Sequence, residues 1–141
     1  MRSLVLLIFI VGGAALSGCQ GASAPTRFDV FGSVLYDGQL IPEGDIVFLP
    51  EDGKGRPDGG KIVDGKFQIS VTAGKKRVEV RASRENPDKL VDSMMEPGKK
   101  VPSREDYIPD RYNTNSELKL EVASGENAID IELVASGSPK S

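Results

Sequence analysis

Apolar and polar residues alternate with a period of two over seven short segments of the chain. Each segment is rich in Val, Ile, Leu or Phe, and turn residues separate most of them. A strand with one apolar face has to bury that face against another layer. The pattern therefore predicts an all-β domain, a seven-stranded sandwich of Greek-key type. The predicted strands cover residues 28–36, 45–49, 61–63, 67–71, 74–82, 118–122 and 129–133.

Turn residues at three places indicate how these strands are connected. Asp37-Gly38 follows the first strand and is a strong turn dipeptide. Asp64-Gly65 joins segments 61–63 and 67–71, which we interpret as a β-hairpin. Gly125-Glu126-Asn127 turns the chain between the last two strands and predicts a closing hairpin there.

Residues 84–115 interrupt the alternation and have little periodicity of any kind. We expect a long loop at this place in a domain that otherwise spans residues 28–134. The first half, residues 85–100, is strongly charged. Leu90, Met94 and Met95 would lie on one side of a short helical turn within it.

The second half of the loop holds the candidate partner-binding residues Tyr107, Tyr112, Arg104 and Arg111. They would form a binding edge for a sugar or a peptide, because aromatic faces and guanidinium groups suit such ligands. The alternative is structural. In that interpretation the two tyrosines fold back and cover the sandwich.

The first 18 residues have the organisation of an export signal. Met1-Arg2-Ser3 carries one positive charge, and residues 4–16 are almost wholly apolar. This run is shorter than the ~20 residues that a membrane-spanning helix needs. We therefore predict a helical signal peptide over residues 1–18 that is removed from the mature protein.

The apolar run ends in Leu16-Ser17-Gly18-Cys19, which resembles the lipobox of bacterial lipoproteins. The resemblance implies cleavage before Cys19 and a diacylglyceryl thioether on its sulfur, which makes membrane lipid a partner of the chain. Residues 19–27 would comprise this cysteine and a flexible tether. Gln20 follows the cysteine and, by the enterobacterial sorting rule, favours the outer membrane over the inner membrane of the cell envelope.

A second resemblance covers roughly residues 28–134. Residues 34–44 (VLYDGQLIPEG), 46–50 (IVFLP) and 64–67 (DGKF) resemble parts of carboxypeptidase-regulatory-like and transthyretin-like domains. The resemblance implies an immunoglobulin-like or prealbumin-like sandwich that binds, adheres or stabilises a neighbour and catalyses no reaction. It also implies a structural role for residues 109–112 (PDRY), which match a recurrent Pro-x-x-Tyr step of the family.

Composition narrows the chemistry that this chain can perform. A formal net charge of −3 argues against nucleic-acid binding, which needs a strong basic surplus. The chain has no histidine, which removes the commonest general base and metal ligand. Its single cysteine excludes an intramolecular disulfide. We expect no metal site and no cofactor.

Charged clusters offer weaker alternatives. Glu43 with Asp45, and Glu105 with Asp106, are acidic neighbours that a hydrolase could use, although a chain with 21 carboxylates produces such neighbours by chance. The basic segment 75–77 is interpreted as a solvated strand face with a weak attraction to anionic lipid or polysaccharide.

Together these patterns predict a lipid-anchored, non-enzymatic envelope protein. It would bind a protein or a glycan through its loops or a sheet edge, with a monomer as the default state. Two alternatives stay open: a structural envelope lipoprotein without a discrete ligand, and a carboxylate-dependent hydrolase. We expect residues 135–141 to form a disordered tail.

Overall fold

The computed structural model describes residues 23–136, which fold into eleven strands and one 3-10 turn at Asp110–Tyr112. The prediction of an all-β domain is confirmed, although the number of strands exceeds the seven expected. The strands are β1 (Arg27–Tyr36), β2 (Gln39–Leu40), β3 (Glu43–Pro50), β4 (Asp58–Val63), β5 (Lys66–Thr72), β6 (Gly74–Arg81), β7 (Ser83–Asp92), β8 (Lys100–Asp106), β9 (Lys119–Val122), β10 (Asn127–Ala128) and β11 (Ile131–Leu133).

Nine of these strands form one curled sheet. Seven of them lie side by side in the order β10-β1-β5-β4-β3-β6-β9, and the other two, β2 and β11, also pair with β1. Most neighbours are antiparallel, but β10 and β11 both run parallel to β1. The short β2 pairs with the end of β1. The remaining strands, β7 and β8, form a separate two-stranded ribbon.

The two Asp-Gly turns lie where the sequence predicts them. Asp37 and Gly38 have φ values of 49° and 79°, and Asp64 and Gly65 have φ values of 50° and 75°. Two successive left-handed residues give the turn geometry that matches the twist of a hairpin. The predicted hairpin between β4 and β5 is therefore confirmed, with Val63 opposite Lys66.

The predicted hairpin between the last two strands is wrong. β9 pairs with β6, whereas β10 and β11 pair with β1 at the other end of the strand order. The chain crosses between these two edges in the turn at residues 123–126. Asn127 bridges the crossing, because its side chain accepts a hydrogen bond from Ala123 N at 3.0 Å and donates one to Ala123 O at 3.1 Å. Alternation reveals which face of a strand is buried, but not which strand lies beside it.

Side chains from one face of each main strand fill the inside of the curled sheet. The apolar face predicted for each long strand is the buried one, so the alternation is confirmed as a guide to the core. The buried apolar residues are Val30, Val34, Ile41, Ile46, Phe48, Ile62, Phe67, Val71, Val78, Val80, Ala82, Ile108, Tyr112, Val122, Ile131 and Leu133.

Half of the segment expected to be one long loop, residues 84–115, is instead ordered as strands. β7 and β8 pair with each other, with Ser83 opposite Asp106 and Asp92 opposite Lys100, and the register shifts between Asn86 and Leu90. The helical turn expected around residues 89–95 is likewise wrong. Charged strands without an apolar face escape a search for alternation, and the ribbon buries little of its surface.

The tether is one residue shorter than predicted, because Arg27 already belongs to β1. Its guanidinium donates hydrogen bonds to Asp58 and to Ser70 O, each at 2.6 Å. The predicted signal peptide, the lipobox-like segment with Cys19 and most of the predicted tail (137–141) lie outside the described residues. Between residues 23 and 136, no helix is long and apolar enough to cross a membrane.

Candidate functional site

Tyr112 is fully buried and ties the end of β11 to the 3-10 turn. Its ring is 0% exposed. Its hydroxyl donates a hydrogen bond to Val134 O at 3.1 Å and accepts one from Val134 N at 3.2 Å. Both hydrogen-bonding roles of the hydroxyl are used inside the domain. The structure therefore corrects the proposed binding role of Tyr112, which has no surface to offer a partner.

Arg111 shares this internal role. One of its terminal nitrogens also donates to Val134 O, and its guanidinium lies over the Tyr112 ring, 5.0 Å from the ring centroid. The Nε atom of Arg111 is buried. Arg111 thus clamps the same carbonyl as Tyr112, and the structural alternative holds for both residues.

Tyr107 and Arg104 lie at the base of the β7–β8 ribbon, where it joins the sheet. Tyr107 packs edge-on against Tyr36 with 5.7 Å between ring centroids, and the Arg84 guanidinium lies 5.5 Å from its ring. Burial raises the pKa of the Tyr107 hydroxyl, although the Arg84 charge opposes this. Arg104 Nε donates to Ser83 Oγ at 3.1 Å.

This base region is a shallow groove between the ribbon and the β1–β2 hairpin. Two of the four predicted binding residues line it, but the Tyr107 ring already has the Arg84 guanidinium over it and packs against Tyr36. A sugar-binding platform needs an open aromatic face. The arrangement fits a joint that holds the ribbon at a fixed angle better than it fits a ligand site.

The acidic neighbours considered for hydrolysis are engaged with cations. Asp45 pairs with Lys61 at 2.5 Å, and Glu105 pairs with Lys89 at 3.4 Å. Hydrogen bonds from Asn86, which has the larger effect, and from Lys89 lower the pKa of Glu105. A general acid working near neutral pH needs the opposite shift. Within residues 23–136, no group of three or more Asp, Glu, His or Cys side chains is placed to hold a metal ion.

The tip of the ribbon presents two methionines to solvent. Met94 and Met95 are 102% and 92% exposed, and Leu90 and Val91 on β7 are also exposed. Nearly all other residues between 87 and 100 are exposed polar or charged groups, Pro or Gly. Fully exposed thioether side chains at the end of a projecting element are unusual in a soluble domain and are typical of protein-binding surfaces.

The tip is held by hydrogen bonds that keep these methionines outward. Ser93 Oγ accepts hydrogen bonds from Glu96 N at 3.0 Å and from Met95 N at 3.3 Å. Ser93 N donates to Lys99 O at 2.8 Å. Ion pairs join Lys99 to Glu96 at 2.8 Å and Lys100 to Asp92 at 2.7 Å. The turn is thus built by its polar residues, while the methionines contribute little to it.

The ribbon and the start of the domain lie at opposite ends of β1. Arg27 opens this strand beside Thr72, and Tyr36 closes it beside Tyr107 at the ribbon base. Nine residue steps of ~3.3 Å separate these ends by about 30 Å. The base of the ribbon therefore lies at the end of β1 that is farther from the residues preceding this strand.

Sequence reasoning missed this ribbon, although one local signal was present. Pro97-Gly98 is a turn dipeptide, and Val91 and Val101 flank it at positions that pair across the ribbon. Gly98 has a φ of 84°, as such a turn requires. Comparisons with known protein families, with curated proteins and with solved structures find no match to this chain.

Proposed function

We propose that this chain is a lipid-anchored, non-enzymatic protein of the bacterial cell envelope that presents the β7–β8 ribbon to a protein partner. The anchor is Cys19 of the lipobox-like segment Leu16–Cys19, reached after removal of the signal peptide. Residues 20–26 then connect the lipid to β1. Gln20, the residue after the cysteine, favours the outer membrane over the inner membrane as the location of the anchor.

The curled sheet supports the proposal of a Greek-key sandwich of the immunoglobulin-like or prealbumin-like type. Strands β3, β4 and β5 form a meander, and β6 returns to lie beside β3. This order, β6-β3-β4-β5, is that of a Greek key. Ala73 alone links β5 to β6, two strands that are not neighbours in the sheet, and this short link supports a step between two packed layers at that point.

The exposed tip of the ribbon is the observation that carries the proposed partner binding. Burying a Met side chain in an interface contributes roughly 1.5–3 kcal/mol, so two of them can dominate a modest interaction. Because the base of the ribbon lies beside Tyr36, about 30 Å along β1 from the tether end, we expect the tip to lie away from the anchoring membrane. A protein of the envelope is therefore a better fit for this surface than the anchoring bilayer.

The anchor makes the first prediction. We expect wild-type protein extracted from cells to have the mass of residues 19–141 plus two or three acyl chains, and Cys19→Ala protein to have no acyl mass. Two or more chains hold a protein firmly at a bilayer. With residues 1–18 exchanged for a cleavable secretory signal, the Cys19→Ala domain should be released in soluble form. Intact mass and membrane fractionation measure both effects.

Ser23→Ala is the matched control, since it changes a small tether residue and leaves the thiol in place. It should keep both the acyl mass and the membrane fraction. Wild-type protein without acyl mass would refute the anchor, whichever compartment holds it.

The ribbon makes the second prediction. A photo-crosslinking residue at position 91, on the exposed edge of the tip, should give an adduct of discrete mass in living cells. Combining it with Met94→Asp and Met95→Asp should remove most of this adduct, because two charges replace the apolar contact. The domain should keep its melting temperature, since both side chains are exposed in the free protein.

Lys54→Asp and Arg56→Asp form the control pair, because both side chains are exposed at the opposite end of the domain. They should leave the adduct at position 91 unchanged. An equal adduct in the methionine variant, or no discrete adduct in wild-type protein, would favour a structural lipoprotein without a discrete ligand.

A further inference from the structure

A lysine occupies an inward position at the end of the core, next to the start of the domain. Lys76 precedes Val78 and Val80 on the buried face of β6 and is 2% exposed. Its ammonium group donates a hydrogen bond to Thr72 Oγ1 at 2.6 Å. The interpretation of residues 75–77 as a solvated strand face is therefore wrong for Lys76, whose side chain points inward.

Lys76 has no acidic partner of its own in the described part of the chain. The nearest acid along its hydrogen-bond path is Asp58, and the Thr72 hydroxyl stands between them, donating to Asp58 Oδ2 at 3.0 Å. Asp58 is itself paired with Arg27 at 2.6 Å. An ammonium group has three donors, and a buried charge is unfavourable unless other groups pair with it and hydrogen-bond to it.

Asp58 is committed to its other partners. Burial would raise the pKa of Asp58, but hydrogen bonds from the Thr72 amide, from Arg27 and from the Thr72 hydroxyl outweigh this and hold the pKa below its usual value. Asp58 is thus ionised at neutral pH and accepts three hydrogen bonds, none of them from Lys76. It makes no direct ion pair with Lys76.

Lys76 lines an open groove of about 670 Å³, and further cations surround it. Lys54, Arg56 and Lys75 line the same groove. Between residues 23 and 136, these three and Lys76 have no carboxylate within 4.0 Å, although nine other ion pairs form there.

Two of the three acids that line the groove form ion pairs. Glu51 pairs with Lys119 at 2.5 Å and also feels the charge of Lys75, and Asp58 pairs with Arg27. Asp52 accepts a hydrogen bond from the backbone Lys54 N at 2.9 Å. Five cations and three acids thus line the groove, and its excess positive charge favours an anion with several oxygen atoms.

We infer that this groove binds a phosphate group, and that its source is the headgroup of an anionic phospholipid. A phosphate can accept hydrogen bonds from the buried ammonium group and from cations at the rim at the same time. Pro25 and Arg27, which immediately follow the tether, form one wall of the groove. The choice of a lipid source rests on the proposed anchor, because residues 20–26 then hold this end of the domain near the headgroups.

The test uses the full chain in dodecyl maltoside micelles at constant ionic strength. The probes are inorganic phosphate and glycerophosphoglycerol, which is the soluble headgroup diester of phosphatidylglycerol. We expect glycerophosphoglycerol to raise the melting temperature of wild-type protein by mass action and to give a single-site isotherm. Lys76→Met should lose this shift and weaken binding at least about tenfold.

Lys76→Met should also melt no lower than wild type in phosphate-free buffer, because an apolar residue of similar length replaces a buried unpaired charge. Lys66→Met is the matched control. Lys66 is exposed on the β4–β5 hairpin, and its loss changes the net charge equally. This control should keep the full shift. If Lys76→Met fails to fold, the exposed rim variant Lys54→Gln/Arg56→Gln tests the same site and should weaken binding about tenfold.

Three results would count against the inference. A wild-type protein that responds to neither probe, or a folded Lys76→Met or rim variant that keeps the full shift, would overturn the phosphate site. A response to inorganic phosphate alone would overturn the headgroup as its source. The outcome is separable from the anchor, since acylation of Cys19 is measured by mass and the groove by binding.

Discussion

Replacing Gly32 with alanine is expected to lower the free energy of unfolding by about 3 kcal/mol. A Cβ atom at this position would lie 1.7 Å from Ile129 O and 2.6 Å from the carbonyl carbon of Ile129. These are backbone atoms, so no side-chain rotation can relieve the overlap. Either β1 or the segment before β11 has to move.

Hydrogen bonds on both sides of Gly32 oppose that movement. Ile129 N donates to Phe31 O at 2.9 Å. Asp130 Oδ1 accepts a hydrogen bond from Ser33 N at 3.0 Å and another from Ser33 Oγ at 2.6 Å. The alanine methyl group would separate these partners, so the expected loss includes hydrogen bonds as well as a steric clash.

Urea unfolding of Gly32→Ala beside Gly59→Ala measures this effect. At position 59 the nearest atoms to an added Cβ, Ile46 O and a Val47 methyl group, lie at 3.8 Å. That variant should stay within about 1 kcal/mol of wild type, because alanine there only restricts the unfolded chain. Equal unfolding midpoints for the two variants would show that the last strands do not pack against β1 as described.

Tyr112→Ala is expected to destabilise the domain by about 3–5 kcal/mol, the range for removing a buried aromatic ring. It should also release β11, since the hydroxyl holds both polar atoms of the Val134 backbone. Tyr112→Phe keeps the ring and loses only these hydrogen bonds. It should lower the free energy of unfolding by about 1–2 kcal/mol.

Thermal and urea unfolding of the two variants separates packing from hydrogen bonding at this site. The crosslinked adduct at position 91 serves as an independent readout, and neither folded variant should change it. A Tyr112→Ala protein with wild-type stability and no adduct would reverse our interpretation and return Tyr112 to the partner-binding residues.

Local patterns predict the strands and their faces well, because a period of two is a property of each segment alone. Val30, Val34, Val78 and Val80 lie on predicted apolar faces, and all are buried. The turn at Asp64-Gly65 was predictable for the same reason. Its φ values follow from two adjacent residues and need no distant partner.

Pairing between distant segments was not predictable in this way. In the sequence, Gly32 is one more position on the apolar face of β1. Its close contact with Ile129 depends on the parallel register of β1 with β10 and β11. Lys76 likewise reads as part of a basic run. It is buried because β6 enters the core at residue 76, two residues before Val78, the first apolar residue on its inward face.

The candidate site escaped sequence reasoning for a related reason. Met94 and Met95 are exposed because β7 and β8 pair with each other outside the main sheet. No apolar periodicity in the sequence indicates this pairing. Tyrosine is a residue type common in binding sites, but the environment of Tyr112 is that of a core residue. Only the contact with Val134 distinguishes the two roles.

The parallel pairing of β1 with β11 has a consequence for the order in which the domain forms. Ser33 and Asp130, which the pairing brings together, are 97 residues apart along the chain. Contacts of such high sequence separation slow folding, because a large loop has to close before they form. A chain delivered N-terminus first therefore keeps its opening strand without its last neighbours until residue 133 is free. The last step of folding therefore waits until the end of the chain has been delivered.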